Sequence, residues 1–325
     1  MARITLDIFS GRPNPSWEVD DAEAAEILSE AQGAEDLVGG EDGGDGKLGF
    51  RGLIVEAGGD RVRGLGLPGR FRLSGDDPRG VEIADRILAR LGTPQDRGDL
   101  APGLARLEHL DLRRLVRESA ELSSSGGSQD RSASADSGAA TADGGGADTA
   151  AFSTQAVGAA AVVIGSDATS WSTLAQGSCS IEVAAFNPGF WNASGVITNN
   201  NCYNYATNRR TDTFAQPGRA TGAQATTMKC ANVAAGATSD GAHASPNCVT
   251  GEAPRWYMAL VIWPGTDYHW YRKSQEGFWG HKPGQTAAKN TDNSGVVITN
   301  PETANRGGYR TFCGYFFARS GMVIQ

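Results

Sequence analysis

Three side chains in the second half of the sequence have the types and the order of a thiol acyl-transfer site. They are Cys202 in NNNCYNYATN, His269 in DYHWYRK and His281 in GFWGHKPG. A cysteine in the first turn of a helix meets unpaired backbone N–H groups and the positive end of the helix dipole, both of which favour thiolate. The asparagines before Cys202 suit a turn or an N-cap, and Tyr205 and Ala206 can pack the helix onto a sheet. A nucleophile also needs a base on a rigid element. His269 sits mid-strand, with Asp267 and Tyr271 on its face by two-residue alternation. His281 leads for the group that orients the imidazole, and Asn290 and Asp292 in the next loop are the alternatives. In that chemistry His269 takes the thiol proton, Cys202 attacks a carbonyl, the Cys202 backbone N–H helps hold the oxyanion, and water or an amine resolves the thioester. Asn201, Tyr203, Asp267 and Trp270 flank these positions and, with Arg219, are placed to contact a substrate.

Each candidate also has a packing interpretation. A cysteine beside tyrosines is commonly a small buried side chain, and a histidine in a strand is commonly a satisfied core residue. His243 in DGAHASPN and His109 in LEHLD read as solvent-facing or helix-packing, and Cys313 in TFCGYFF as core. Cys202, His269 and His281 could hold zinc, but no close Cys-x-x-Cys or His-x-x-x-His pair anchors such a site. Neither a Walker lysine nor a dinucleotide fingerprint is in register, so no cofactor is expected.

The elements that must position these residues are legible in pattern. ITLDIF alternates as a strand, and SGRPNPSW breaks it with two prolines and a glycine. Asp20 or Asp21 caps a helix over DAEAAEILSEAQ, with Ala24, Ile27 and Leu28 on one face. FRGLIVEAG and GRFRLSG read as strands, and GVEIADRILARLG as an amphipathic helix ended by Gly92. Residues 118–150 are nearly all Ser, Gly, Ala, Asp and Thr after their first few positions, a composition that reads as a flexible linker. Beyond them a helix is expected over about 201–208 and another around ATTMKCANVAAGA. The strands RWYMALVIWPG, DYHWYRK and GFWGHKPG follow, which gives helix first and antiparallel strands afterwards.

The chain has 325 residues and is 39% hydrophobic, enough for sizeable cores. Its net charge of −8 is uneven: the first 150 residues carry a balance of −11 and the rest +3. Six of seven tryptophans and all five cysteines lie in the second part. The fold expected is α+β: an acidic N-terminal α+β domain over 1–117, the linker, and a C-terminal domain over 151–325 with an antiparallel sheet. The small basic excess disfavours nucleic acid, with Arg209, Arg210 and Arg219 forming at most one patch that could steer an anionic substrate. No apolar run reaches the ~20 residues of a membrane span. No secretory leader is read at the N-terminus, so the cytoplasm is the default, with signal-independent export open. Cys230 and Cys248 could pair across a loop, although a reducing compartment would keep them apart. FSGRPNPSW is a stiff loop with Arg12, Asn14 and Trp17, suited to binding or docking a partner of the N-terminal domain.

The Cys-Tyr-x-Tyr-Ala helix start, the hydrophobic strand, the turn, the histidine in the next strand and the polar residue beyond together resemble the papain-like superfamily, especially its NlpC-type and CHAP-type branches. The resemblance covers roughly residues 185–320. It implies amide or peptide-bond hydrolysis by Cys202, His269 and His281, with cell-wall peptide as the leading substrate and no metal. The histidine departs from the family pattern in lying between Tyr268 and Trp270. A tethered two-part layout also suits a toxin or effector, and acyl transfer to an amine or lipid would use the same residues. A rival from another class is a non-catalytic module binding carbohydrate or protein through Trp256, Trp263, Trp270 and Trp279.

Overall fold

In the computed structural model the described residues are 1–40, 46–58, 62, 64–92, 110–124, 165–167, 172–176 and 179–325. The N-terminal part is an antiparallel sheet backed by helices. Strand β1 (Ala2–Asp7) lies between β2 (Ser16–Val19) and β4 (Gly52–Ala57), and β5 (Arg70–Ser74) and β3 (Val38–Gly39) complete the order β2-β1-β4-β5-β3. Helix α1 (Asp21–Gln32) starts where expected, because Asp20 accepts the Ala22 and Glu23 amides while Glu23 reaches back to the Asp20 amide. Helix α2 (Pro78–Leu91) has proline in its first turn and ends at Gly92, whose φ of 67° lies in the region that glycine tolerates best. Ala24, Ile27 and Leu28 of α1 and Ile83, Ile87 and Leu88 of α2 are buried in the core formed with Ile4, Leu6, Val55 and Phe71 of the sheet.

Helix α3 (Leu112–Ser124) runs further than the composition suggested. The first residues assigned to the linker, 118–124, are helical, and Ser119 Oγ accepts the Phe50 amide at 2.7 Å. The rest of that segment, 125–150, lies outside the described residues, as does His109.

The second sheet runs β11 (Trp279–His281), β10 (Asp267–Lys273), β9 (Trp256–Trp263), β12 (Thr311–Ala318), β8 (His243–Ala244). These neighbours pair antiparallel, as expected. The hairpin of β6 (Ser172–Gln176) and β7 (Cys179–Val183) corrects the helix-first order, since it precedes the helices α4 (Pro188–Asn192), α5 (Cys202–Ala206) and α6 (Cys230–Ser239). It joins the sheet where β7 meets β9 in parallel at Glu182 and Trp256. The fold is α+β, and among the described residues no helix is long and apolar enough to cross a membrane.

Two disulfides tie this second half together, Cys179–Cys248 and Cys230–Cys313. They overturn the Cys230–Cys248 pairing: Cys313, on the last strand and partly buried against the core, staples α6 to the sheet, and Cys202 is left as the free thiol. His243 pairs with Glu252 at 2.6 Å on β8, so it is neither a helix-packing nor a freely solvated residue.

The two halves share one contiguous apolar core, in which Trp263, Tyr271 and Tyr309 join Ile4, Phe9 and Trp17. The β1–β2 loop is what reaches across. Its base is a buried charge cluster: Asp7 takes bonds from Arg51 at 2.6 Å, from Arg72 and from Asn14 at 2.9 Å, while Asn14 Oδ1 accepts the Ile8 and Phe9 amides. Burial by itself would raise the Asp7 pKa, but the two guanidinium groups pull it well below the usual carboxylate range. Removing one partner of such a cluster leaves uncompensated buried charge. Asp7→Asn is therefore expected to lower unfolding stability by roughly 3–5 kcal/mol in urea titrations, whereas a cost near zero would mean that the cluster is not what holds the loop.

Candidate functional site

The asparagine run before Cys202 is a built turn. Asn200 Oδ1 accepts the Thr211 and Asp212 amides, and Asn201 Oδ1 accepts the Tyr203 and Asn204 amides as N-cap of α5. Asn204 returns the bond to the Asn201 amide, which closes a capping box with asparagine in the third position. Cys202 is thus at the first helical position, as its neighbours predicted, but it is fully buried. Burial, followed by the charge of Asp267, pushes its thiol well above the ordinary range, while the Trp270 and Cys202 amides and the Lys282 ammonium act more weakly in the other direction. Cys202 at rest is a protonated thiol.

His269 and His281 meet. His269 Nε2 lies 2.8 Å from His281 Nδ1, and His281 Nε2 lies 2.9 Å from the Thr291 carbonyl oxygen. Burial lowers both imidazole pKa values, His269 well below its ordinary range and His281 to about 3, so both rings are neutral near pH 7. The Thr291 carbonyl can only accept, so His281 carries its proton on Nε2 and presents a lone pair at Nδ1. His269 must then donate from Nε2, which leaves Nδ1 as its basic nitrogen. That nitrogen is buried and has no hydrogen-bond partner among the described residues. The edge-on contact with Tyr271, ring centroids 4.8 Å apart, helps fix the ring.

The geometry therefore joins two of the three expected residues, His269 and His281, directly. Asp292 instead organises its own loop, accepting the Ser294, Val296 and Asn305 amides, and the Asn290 carbonyl accepts the Ile298 amide. Cys202 makes no hydrogen bond to either imidazole. It packs with Tyr203 of its own helix and with Tyr268 and Trp270, which lie on the face of β10 opposite His269.

The residues assigned to substrate contact are held by the protein itself. Tyr203 donates to Asp240 at 2.9 Å, Arg219 binds the Thr213 and Phe214 carbonyls, and Trp270 is fully buried. Arg209 is bound by the Arg319 and Ser320 carbonyls and Arg210 by Asp212, so all three arginines of the patch spend terminal donors on the protein itself. Trp256, Trp263, Trp270 and Trp279 are all buried, which removes the aromatic platform that a binding module would need. Among the described residues no group of three or more His, Cys, Asp or Glu side chains could hold a metal ion.

Asp267 and Asn201 instead receive the N-terminal loop. Asp267 accepts the Ser10 amide at 2.6 Å, the Gly11 amide at 3.1 Å, the Arg12 amide at 3.0 Å and the Tyr309 hydroxyl at 2.5 Å. The Gly11 carbonyl accepts from Asn201 Nδ2, Gln216 Nε2 and the Tyr268 hydroxyl. Sequence reasoning missed Gln216, Tyr309, Thr291 and Lys282. The buried Lys282 ammonium spends its donors on the Ile197, Asn200 and Gly284 carbonyls, and burial lowers its pKa to about 7. The stiff FSGRPNPSW loop was the one available signal, and it showed rigidity without showing its destination. Beside it, Asn14, Thr198, Asn199, Asp212 and Gln285 line part of a polar cleft of about 480 Å³ between the two halves.

The architecture defines a disulfide-stapled α+β protein that holds one free, buried thiol and, on the other face of β10, a buried pair of neutral imidazoles. Compared with known proteins, the chain is 46% identical over 132 residues to insoluble matrix shell protein 1 of Ruditapes philippinarum, a match covering 40% of this chain and 86% of that relative. The chain belongs to the family of that shell protein. No family model and no solved structure matches it.

The pH dependence of stability follows from the imidazoles. Unfolded, His281 takes up a proton near pH 6.5; folded, it does so only near pH 3. The folded state therefore loses stability as pH falls from about 6.5 toward 3 and is unaffected by this group above that window. Asp240, raised to about 6 by burial, works in the opposite sense between about 4 and 6, so the contribution must be read against a variant. The stability difference between wild type and His281→Gln is expected to grow with pH between 3 and 6.5 and then level off. A difference independent of pH would contradict the buried neutral state.

Proposed function

We propose that the C-terminal half is a thiol-dependent amide hydrolase acting on peptide, with Cys202 as nucleophile, His269 as base and His281 as the residue that sets the base's tautomer. The observation that supports this most is His269 Nδ1, a buried basic nitrogen with no partner among the described residues, on the strand whose opposite face packs against the Cys202 helix. The resemblance to NlpC-type and CHAP-type papain-like enzymes agrees in residue order. Thiol and imidazole start uncharged, so Sγ loses its proton to Nδ1 as it attacks the acyl carbon, and the developing imidazolium is steadied by the His281 lone pair. The imidazolium then gives its proton to the leaving amine, and water opens the thioester. Sγ packs on the face of β10 that carries Tyr268 and Trp270, opposite His269, and is not hydrogen-bonded to Nδ1 at rest, so the mechanism requires α5 and β10 to shift before the two can meet.

Two disulfides favour an oxidising compartment over the default cytoplasm. The family's insoluble matrix shell protein agrees with a matrix or wall-like setting, in which a peptide within an insoluble polymer is the substrate class. A second reading, a non-catalytic matrix component, draws on the complete burial of Cys202 and on that relative's description.

Acyl trapping separates them. Wild type and Gly11→Ala chains, each with and without His269→Ala, are incubated with an activated peptide ester, and Cys202 is mapped by mass spectrometry. Acyl-Cys202 is expected in chains that keep His269 and should form at least ~100-fold more slowly without it. Acylation in none of the native chains, with Cys202 reacting only in denaturant, would assign Cys202 to the core.

A further inference from the structure

We propose that residues Ser10–Arg12 are a built-in occupant of a peptide-binding cleft in the C-terminal half, and that the vacated cleft takes extended peptides with glycine followed by a cationic residue. The inference rests on the hydrolase reading only for what happens to a bound peptide, not for its binding.

Three elements of the candidate site grip this segment, each next to a candidate residue. Asn201 precedes Cys202, Asp267 and Tyr268 precede His269, and Gly284, whose amide donates to the Ser10 carbonyl at 3.1 Å, lies three residues past His281. The contacts are those of peptide recognition: a carboxylate collects the amides of Ser10, Gly11 and Arg12 in succession, and the carbonyls of Ser10 and Gly11 are both taken. The Gly11 carbonyl is the most telling. Donors at 2.8 Å from Asn201, 2.8 Å from Gln216 and 3.0 Å from Tyr268 converge on it, one more than its two lone pairs require. A cradle of three fixed donors suits an oxygen that gains negative charge, as an acyl oxygen does during attack.

Specificity follows from the same contacts. A Cβ on Gly11 would lie 2.4 Å from the Tyr268 ring, so the central position admits glycine alone. The Arg12 guanidinium, buried, donates to the Thr266 carbonyl at 2.8 Å, which rewards a cation at the next position.

The test uses full-length chains carrying Cys202→Ser, so that binding is read without thiol chemistry, and a fluorescein-labelled peptide FSGRPNP followed by anisotropy. The chain with its own loop intact should bind it poorly. Adding Gly11→Ala, which expels the loop, should raise affinity at least ~10-fold, and a peptide with alanine for its glycine should lose at least ~10-fold of that. Near-UV circular dichroism checks folding, and Arg12→Ala serves as a milder release of the same loop. Equal weak binding by all folded chains would overturn the proposal, as would loss of folding in both variants, because the segment would then be part of the core. Peptide binding in these chains, together with no acyl-Cys202 in the trapping experiment on chains that keep the thiol, would keep the cleft and discard the hydrolase.

Discussion

A buried carboxylate, Asp267, sets the terms for the rest of the molecule. Left without partners, a charge so deep would cost several kcal/mol, so the fold must bring donors to it. It brings three consecutive amides from the N-terminal loop and one phenol from the approach to the last strand. Even so, burial outweighs these donors and keeps the Asp267 pKa above its ordinary value. Meeting this demand fixes where residues 10–12 lie, and thereby docks the N-terminal sheet on the C-terminal one. It also explains the Asp7, Arg51, Arg72 and Asn14 cluster, which shapes the loop before it arrives. A second buried charge, Lys282, plays the corresponding part for the turn before Cys202 by binding the Ile197 and Asn200 carbonyls.

Between these two charges the chemistry-bearing groups are neutral. Desolvation raises the thiol and lowers the imidazoles, so the resting site holds no thiolate–imidazolium pair. Such a site stores its reactivity in proton positions. The Thr291 carbonyl dictates the tautomer of His281, which dictates that of His269. Dryness also protects the free thiol in a chain whose other four cysteines are oxidised, since oxidation follows thiolate character and exposure. The occupied cleft and the buried thiol are consistent with one design, in which access is controlled by the amino-terminal loop.

Local pattern was readable and long-range partnership was not. Asp20, Pro78 and Gly92 marked helix ends because capping is decided within a few residues. The strands of the second sheet were visible because WYMALVIW and DYHWYRK are strong apolar and aromatic runs. The order Cys202, His269, His281 was likewise legible, since helix start and strand position are local properties. Burial of Cys202 was not, because it depends on Tyr268 and Trp270 closing over it from a strand some 65 residues away. The disulfide partners were unreadable for the same reason, as separations of 69 and 83 residues carry no pairing signal. The fate of Gly11 is the clearest case. Its sequence announces a rigid turn, but the donors waiting for it are Asn201, Gln216 and Tyr268, which no periodicity links to residue 11.

The proposed chemistry depends on the protonation pattern of the imidazole pair, and that pattern can be observed directly by long-range proton–nitrogen NMR on histidine-labelled protein at pH 7. Two neutral rings are predicted, both protonated at Nε2, with His269 Nδ1 showing the shift of a bare lone-pair nitrogen. A proton on His269 Nδ1, or a cationic ring at either position, would contradict the account, because no base would then be available to Cys202.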